Sequence, residues 1–161
     1  MGRPHRTRDW LGALYDRHAA GLYRYAVMIL ADTESAADAV QQVFTRLVDS
    51  RNRPDVEANY LRRAIRNECF SMLRSRRRRP QAADSHEILE AMSAPDDAPD
   101  ERLAIQAALL ALPAEQREVV HLKVFEGLTL QEIAELTGES MNTIASRYRY
   151  ALEKMRALLN D

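Results

Sequence analysis

Apolar residues recur along this chain at steps of three and four, the period of helices with one buried side. From Asp9 to about Ala31 the set is Leu11, Leu14, Tyr15, Leu22, Tyr25, Ala26 and Ile29. Asp32-Thr33-Glu34-Ser35 reads as a turn and cap. Ala36, Ala39, Val40, Val43, Phe44 and Leu47 then give a second helix to about Val48. Asp49 to Asn59 holds Pro54 and several charges and reads as a loop. A third helix is expected from about Tyr60 to Arg76. Leu61, Ala64, Ile65, Cys69, Met72 and Leu73 line its core side, and Arg62, Arg63, Arg66 and Arg74 lie elsewhere on it.

Pro80 to Asp100 breaks the pattern with Pro80, Pro95, Pro99 and many small and acidic residues, the composition of a linker. A short helix over His86–Met92 is compatible with it. Periodicity resumes with Leu103, Ala107, Leu109 and Leu110, which end at Leu112-Pro113. Pro113 suits the first position of a following helix, which carries Val119, Val120, Leu122, Val124 and Phe125 and stops at Gly127.

The last stretch is the most specific. Thr129 with Glu132 three residues on is a capping box. Ile133, Ala134 and Leu136 give the helix an apolar side, Gly138 supplies a left-handed stop, and Ser140 can cap the next helix. Helix, glycine turn and helix is the shape of a helix-turn-helix, whose second helix enters the DNA major groove. On that helix Ile144, Tyr148, Ala151, Leu152 and Met155 share one side. Asn142, Ser146, Arg149, Tyr150 and Glu153 take the other, flanked by Thr143 and Arg147, with the reach for base edges and phosphates.

Composition narrows the class to all-α, with two small helical domains joined by a flexible acidic linker. Glycine appears five times and phenylalanine three times in 161 residues. No apolar run is long enough for a membrane span, and the basic N-terminus has no signal core after it, so a cytoplasmic protein without membrane insertion is expected. Cys69 is the one cysteine and reads as a buried thiol. The four histidines lack metal-ligand spacing. With no phosphate loop and no nucleophile elbow, no cofactor, metal or catalytic residue is expected, and a binding protein is favoured over an enzyme.

The net charge of −1 conceals two opposed blocks. Residues 51–80 hold ten arginines against three carboxylates, a balance of +7. Residues 81–112 hold Arg102 against seven carboxylates, a balance of −6. Such segregation suggests one block for a polyanion and one that shields it. The expectation is that Asp96, Asp97, Asp100 and Glu101 fold over the basic block until a partner draws them apart; a merely solubilising linker is the other reading. Arginine's planar fork suits phosphates and stacks on bases.

Three segments together resemble the small two-domain sigma factors of bacterial RNA polymerase, the extracytoplasmic-function group of the sigma-70 family. Ala37-Asp38-Ala39-Val40-Gln41-Gln42-Val43-Phe44 is similar to the family's Asp-Leu-Val-Gln-Glu-Val-Phe helix in region 2. Tyr60-Leu61-Arg62-Arg63-Ala64-Ile65-Arg66-Asn67, with Leu73-Arg74, is similar to its Trp-Leu…Ala-Arg-Asn…Leu-Arg helix. Leu112-Pro113 through Ser146-Arg147 is similar to region 4. Gln42 stands where the family usually has Glu, Tyr60 where it often has Trp, Ser71 where it has Asp, and Ala145 where it has Lys or Arg.

The resemblance implies region 2 over residues 9–79, an acidic linker over 80–100 and region 4 over 101–161. It implies that Asp38, Gln41, Gln42 and Phe44 dock on the clamp of core RNA polymerase, and that region 4 touches its flap. Tyr60, Arg62, Arg63, Arg66, Asn67 and Arg74 would melt and hold the −10 element of promoter DNA. Asn142, Thr143, Ser146, Arg147, Arg149 and Tyr150 would read the −35 duplex. The existence of an anti-sigma factor stays open at this level. The competing readings are a stand-alone helix-turn-helix regulator and a helical adaptor that binds protein and no DNA.

Overall fold

The computed structural model describes residues 4–49, 58–76 and 99–160, with side chains from residue 9 in the first stretch and from residue 100 in the third. Among these residues all regular structure is helical: α1 (Pro4–Leu30), α2 (Thr33–Asp49), α3 (Ala58–Arg76), α4 (Pro99–Leu110), α5 (Ala114–Val120), α6 (Leu130–Thr137) and α7 (Met141–Leu159). Residues 50–57 of the loop expected between α2 and α3, Arg77 to Arg79, the short helix over His86–Met92 and most of the linker lie outside the described residues, while Asp49 ends α2 and Ala58 and Asn59, expected in the loop, begin α3.

Helices α1, α2 and α3 pack on one another. The stripes read from periodicity meet in their shared core: Leu22, Tyr25, Ala26 and Ile29 of α1, Ala36, Val40, Val43, Phe44 and Leu47 of α2, Leu61, Ile65 and Cys69 of α3. Cys69 is buried, as its neighbours foretold, and burial pushes its thiol up to about 12.

The turn after α1 is closed from a distance. Ala31 takes a left-handed φ of 51°, a conformation that costs a residue with a Cβ about 1–2 kcal/mol. Arg76, at the end of α3, donates to the Leu30 carbonyl at 3.1 Å, pairs with Asp32 and reaches the Ser35 hydroxyl. Burial alone would raise the Asp32 carboxyl, but the Ser35 hydroxyl and Arg76 hold it below its ordinary value. Arg76 is therefore a tertiary clamp that ties the end of α3 to the turn after α1.

The second half opens with a tight pair. Pro113 has φ −57° and ψ 151° and is the N-cap of α5, one position outside the place its ring would suit. Helix α5 runs on without a break into a turn of π-helix, His121–Phe125. The Glu126 N–H bonds the His121 carbonyl, five residues back, at 3.1 Å. The extra residue in that turn folds His121 inward and carries Glu126 toward α3. Gly127 then ends the segment with φ 71°.

Local signals govern the last two helices. Both bonds of the capping box are present, each 3.1 Å: Glu132 N–H to Thr129 Oγ1, and Thr129 N–H to Glu132 Oε1. Gly138 has φ 75° and stops α6. The Ser140 hydroxyl accepts from the Thr143 N–H at 3.1 Å and starts α7. Ile144 and Ala151 are buried, whereas Leu152, expected beside them, is exposed because it lies at the edge of the stripe.

The two halves share their apolar core. Met28 of α1 joins Leu109, Leu112, Val120 and Ala151, and the larger cluster runs from α1–α3 through Val119, Leu122, Ile133, Leu136 and Ile144. Arg117 carries the junction in polar form. Its guanidinium, 6% exposed as a residue, donates to the carbonyls of Met28, Ile29 (2.9 Å), Leu112 (2.9 Å) and Leu110 (3.3 Å). The Met28 and Ile29 carbonyls sit in the last turn of α1, where a helix has no partners of its own.

Candidate nucleic-acid interface

Helix α3 sorts its polar residues onto two strips. Tyr60, Arg63, Asn67 and Arg74 stand at i, i+3, i+7 and i+14, which is one line along a helix, and all four are exposed. Arg62 and Arg66 stand four apart on the neighbouring strip, turned toward α5 and the π turn. Arg62 pairs with Glu126 at 2.9 Å and donates to Asn59 at 3.0 Å. Arg66 Nε donates to both oxygens of Glu118, at 2.9 and 3.1 Å, and its guanidinium lies 4.6 Å from the Phe70 ring centroid. The six residues expected at the −10 element thus divide into four open and two engaged.

Glu118 is 0% exposed. Burial pushes its carboxyl above its ordinary value against the pull of Arg66. Tyr25 lies beside it, and burial with the Glu118 charge holds the Tyr25 hydroxyl well above the usual range. The Tyr25 ring stacks on His121 with centroids 5.5 Å apart and planes 6° from parallel. His121 Nε2 lies 3.4 Å from Glu126. His121 and then Arg62 hold the Glu126 carboxyl down at about 2.

Helix α7 presents Asn142, Arg149 and Tyr150 to solvent, with Ser146 and Thr143 half-buried along the same side. The Arg149 guanidinium lies 5.1 Å from the Tyr150 ring centroid, so the two project together. Arg147 is set apart. It falls toward the buried face, pairs with Glu139 at 3.4 Å and feels the charge of Glu118. Thr143 is partly spent on the helix cap, its hydroxyl 2.9 Å from that of Ser140.

On α2, Asp38, Gln41 and Gln42 are exposed at i, i+3 and i+4 and form one surface strip. Phe44 does not belong to it. It is 6% exposed and meets the Tyr15 ring edge-on at 5.0 Å, on the core side of α2. Assigning Phe44 a surface contact is corrected accordingly: a side chain in the core cannot also face a partner.

The groups that sequence reasoning passed over are Arg117, Glu118, His121 and Glu126. A faint signal existed, since Arg117 and Glu118 interrupt an apolar run in which every position from Arg117 to Val120 is buried. Their hydrogen-bond partners on α1 and α3 lie 52 to 89 residues away and carry no local mark. Asp96 and Asp97, expected to shield the arginines, lie outside the described residues, and Asp100 and Glu101 are exposed at the start of α4. Among the described residues, the carboxylates on Arg62 and Arg66 come from the second half of the chain.

Comparison with known proteins gives a consistent answer. The family model described as Sigma-70 region 2 matches residues 14–79, and that described as Sigma-70, region 4 matches residues 102–155. The ECF RNA polymerase sigma factor SigL of Mycobacterium tuberculosis is 33% identical over 159 residues, which cover 92% of this chain and 88% of SigL. The RNA polymerase sigma factor SigV of Bacillus subtilis is 26% identical over 99% of this chain and 96% of its own. The fold is similar to that of the sigma factor RpoE from Bartonella quintana, solved in complex with the anti-sigma factor NepR, with TM-score 0.66, 24% identity, and coverage of 87% of this chain and 90% of that one. No helix among the described residues is long and apolar enough to cross a membrane.

Proposed function

The chain belongs to the extracytoplasmic-function group of the sigma-70 family, and from that membership we propose how its surface is divided among its partners. As a sigma factor it binds core RNA polymerase and directs promoter-specific transcription initiation. It does so by binding alone, and the chemistry of RNA synthesis belongs to the polymerase.

The exposed line of Tyr60, Arg63, Asn67 and Arg74 on α3 carries the proposal. Opening a promoter means unstacking bases at roughly a few kcal/mol per step. A protein without an energy source achieves this only by binding the opened strand better than the duplex. That calls for cations along the backbone and flat groups for the bases. Arg63 and Arg74 supply cations, Tyr60 a stacking platform and Asn67 a base or sugar contact. Asn142, Ser146, Arg149 and Tyr150 read the −35 duplex. Asp38, Gln41 and Gln42 form the docking strip for the polymerase clamp. By likeness to RpoE, an anti-sigma protein is the class of partner expected to hold this chain inactive.

Run-off transcription with core polymerase tests the assignment. Arg149→Ala is expected to lower transcription from a cognate promoter by about tenfold, in line with roughly 1–3 kcal/mol for a base contact. Co-purification with polymerase should not change. Equal transcription by that variant discards Arg149 as a reader, and failure of the chain to associate with core polymerase discards the whole division.

A further inference from the structure

Helix α7 carries two strips beside its buried side. Asn142 and Ser146, four residues apart, have side chains that hydrogen-bond. Met141 and Ala145, also four apart, have side chains that do not. They lie on the flank between that strip and the core residues Ile144 and Ala151. Met141 directly follows the Ser140 cap and is 42% exposed, and Ala145 is exposed one turn on. The Thr143 N–H donates to the Ser140 hydroxyl at 3.1 Å, which fixes the first turn and the direction in which Met141 leaves the helix. Packing accounts for Ile144 and Ala151, both 0% exposed, and leaves these two apolar side chains open to water.

In a helix-turn-helix the N-terminal residues of the second helix meet base edges in the major groove. An apolar side chain has one apolar target there, the 5-methyl group of thymine. Four residues of helix rise about 6 Å, close to two base steps of about 3.4 Å along a strand. Met141 and Ala145 thus match methyl groups about two base pairs apart. Methionine brings a flexible thioether that follows the position of a methyl. Alanine brings a short, rigid wall that lets the helix backbone approach the bases, and it reaches neither a phosphate nor a purine acceptor.

We infer that Met141 and Ala145 are specificity residues of the −35 reading, which select thymine by apolar contact with its 5-methyl group. The inference deepens the proposed role of α7 and rests on it. Asn142, Ser146 and Arg149 contribute hydrogen bonds to the bases, and these two residues contribute shape. An apolar contact releases no counterion, so its share of the affinity is the same at low and high salt, unlike that of a phosphate contact.

The test uses the holoenzyme, formed from the full chain and core polymerase, and a pool of promoter duplexes randomised over the −35 and −10 elements. The best-bound duplex is remade with each thymine of its −35 element replaced, one at a time, by deoxyuridine, which removes the methyl and nothing else. The wild type is expected to lose about fourfold in affinity at two positions roughly two base pairs apart, the effect of one methylene-sized group taken out of water. That loss should be equal at low and high salt. Met141→Ala should be insensitive to deoxyuridine at one position and keep the loss at the other. Met141→Leu, which restores a long apolar chain, should bring the loss back. Ala145→Lys should be insensitive at the second position. The deoxyuridine scan of the wild type needs no variant and so does not depend on how a variant folds. A wild type indifferent to every deoxyuridine overturns the inference. So does a loss that is unchanged in Met141→Ala, a loss that vanishes at high salt, or a selected −35 element without thymine. Failure of the underlying reading looks different: the pool would then show no base preference over the −35 element at all.

Discussion

Replacing Arg117 with Met tests the joint at its most demanding point. The guanidinium donates to four carbonyls, two in the last turn of α1 and two in the turn between α4 and α5. A hydrogen bond from a charged group contributes about 1.5–3 kcal/mol, so four contribute about 6–12 gross. Against this stands the cost of burying the cation. Burial lowers the Arg117 guanidinium to about 10, a shift that at about 1.36 kcal/mol per unit is roughly 3 kcal/mol. The variant recovers that cost and keeps most of the packing, while water reaches some of the orphaned carbonyls. A net loss of about 3 kcal/mol is expected. Urea unfolding of the full chain, followed by far-ultraviolet circular dichroism and by Trp10 fluorescence, measures it. The wild type should unfold in one transition because its halves share a core. In the variant the two signals should separate, with region 4 lost first. Arg117→Lys should restore less than half, because one ammonium cannot span four carbonyls as a planar fork does. A loss under about 0.5 kcal/mol with coincident transitions would refute the reasoning, since it would mean that these bonds do not hold the halves together.

Thr129→Ala removes the Thr129 side-chain bond of the α6 capping box and should cost about 1 kcal/mol, read as a drop of about 2–4 °C in Tm for a chain of this size. Phe44→Ala should cost about 3–5 kcal/mol in unfolding experiments, whereas Asp38→Ala and Gln41→Ala should weaken polymerase binding with stability unchanged; the reverse pattern would return Phe44 to the surface. Glu126 sets a pH dependence. Its carboxyl is depressed from 4.5 to about 2, so its contribution is complete above 4.5 and is lost as pH falls from there toward 2. The full shift corresponds to about 3 kcal/mol, and solvent screening of a partly exposed pair brings it to about 1–2 kcal/mol. Stability measured across that window should fall in the wild type and run flatter in Glu126→Gln. Equal slopes would remove Glu126 from the account.

What the residues settle alone are the features whose causes lie within one or two turns of chain. The capping box of Thr129 and Glu132, the left-handed Gly138 and the Ser140 cap were legible because each bond closes over three or four residues. The inward faces of α1, α2 and α3 were legible for the same reason, since periodicity is a local property. The two-region plan followed from three segments in order. Tertiary structure decided the rest. Nothing near Arg62 or Arg66 in sequence distinguishes them from Arg63 and Arg74; the difference is made by Glu126 and Glu118, 64 and 52 residues away. Arg76 reads as one of a basic run until Asp32 and Leu30 arrive beside it, and Phe44 reads as a docking residue until Tyr15 covers it. Helix type and helix face depend on bonds and exposure along a single element, which the order of residues specifies. Which charge meets which counter-charge depends on how separate elements dock, and only the packed core fixes that.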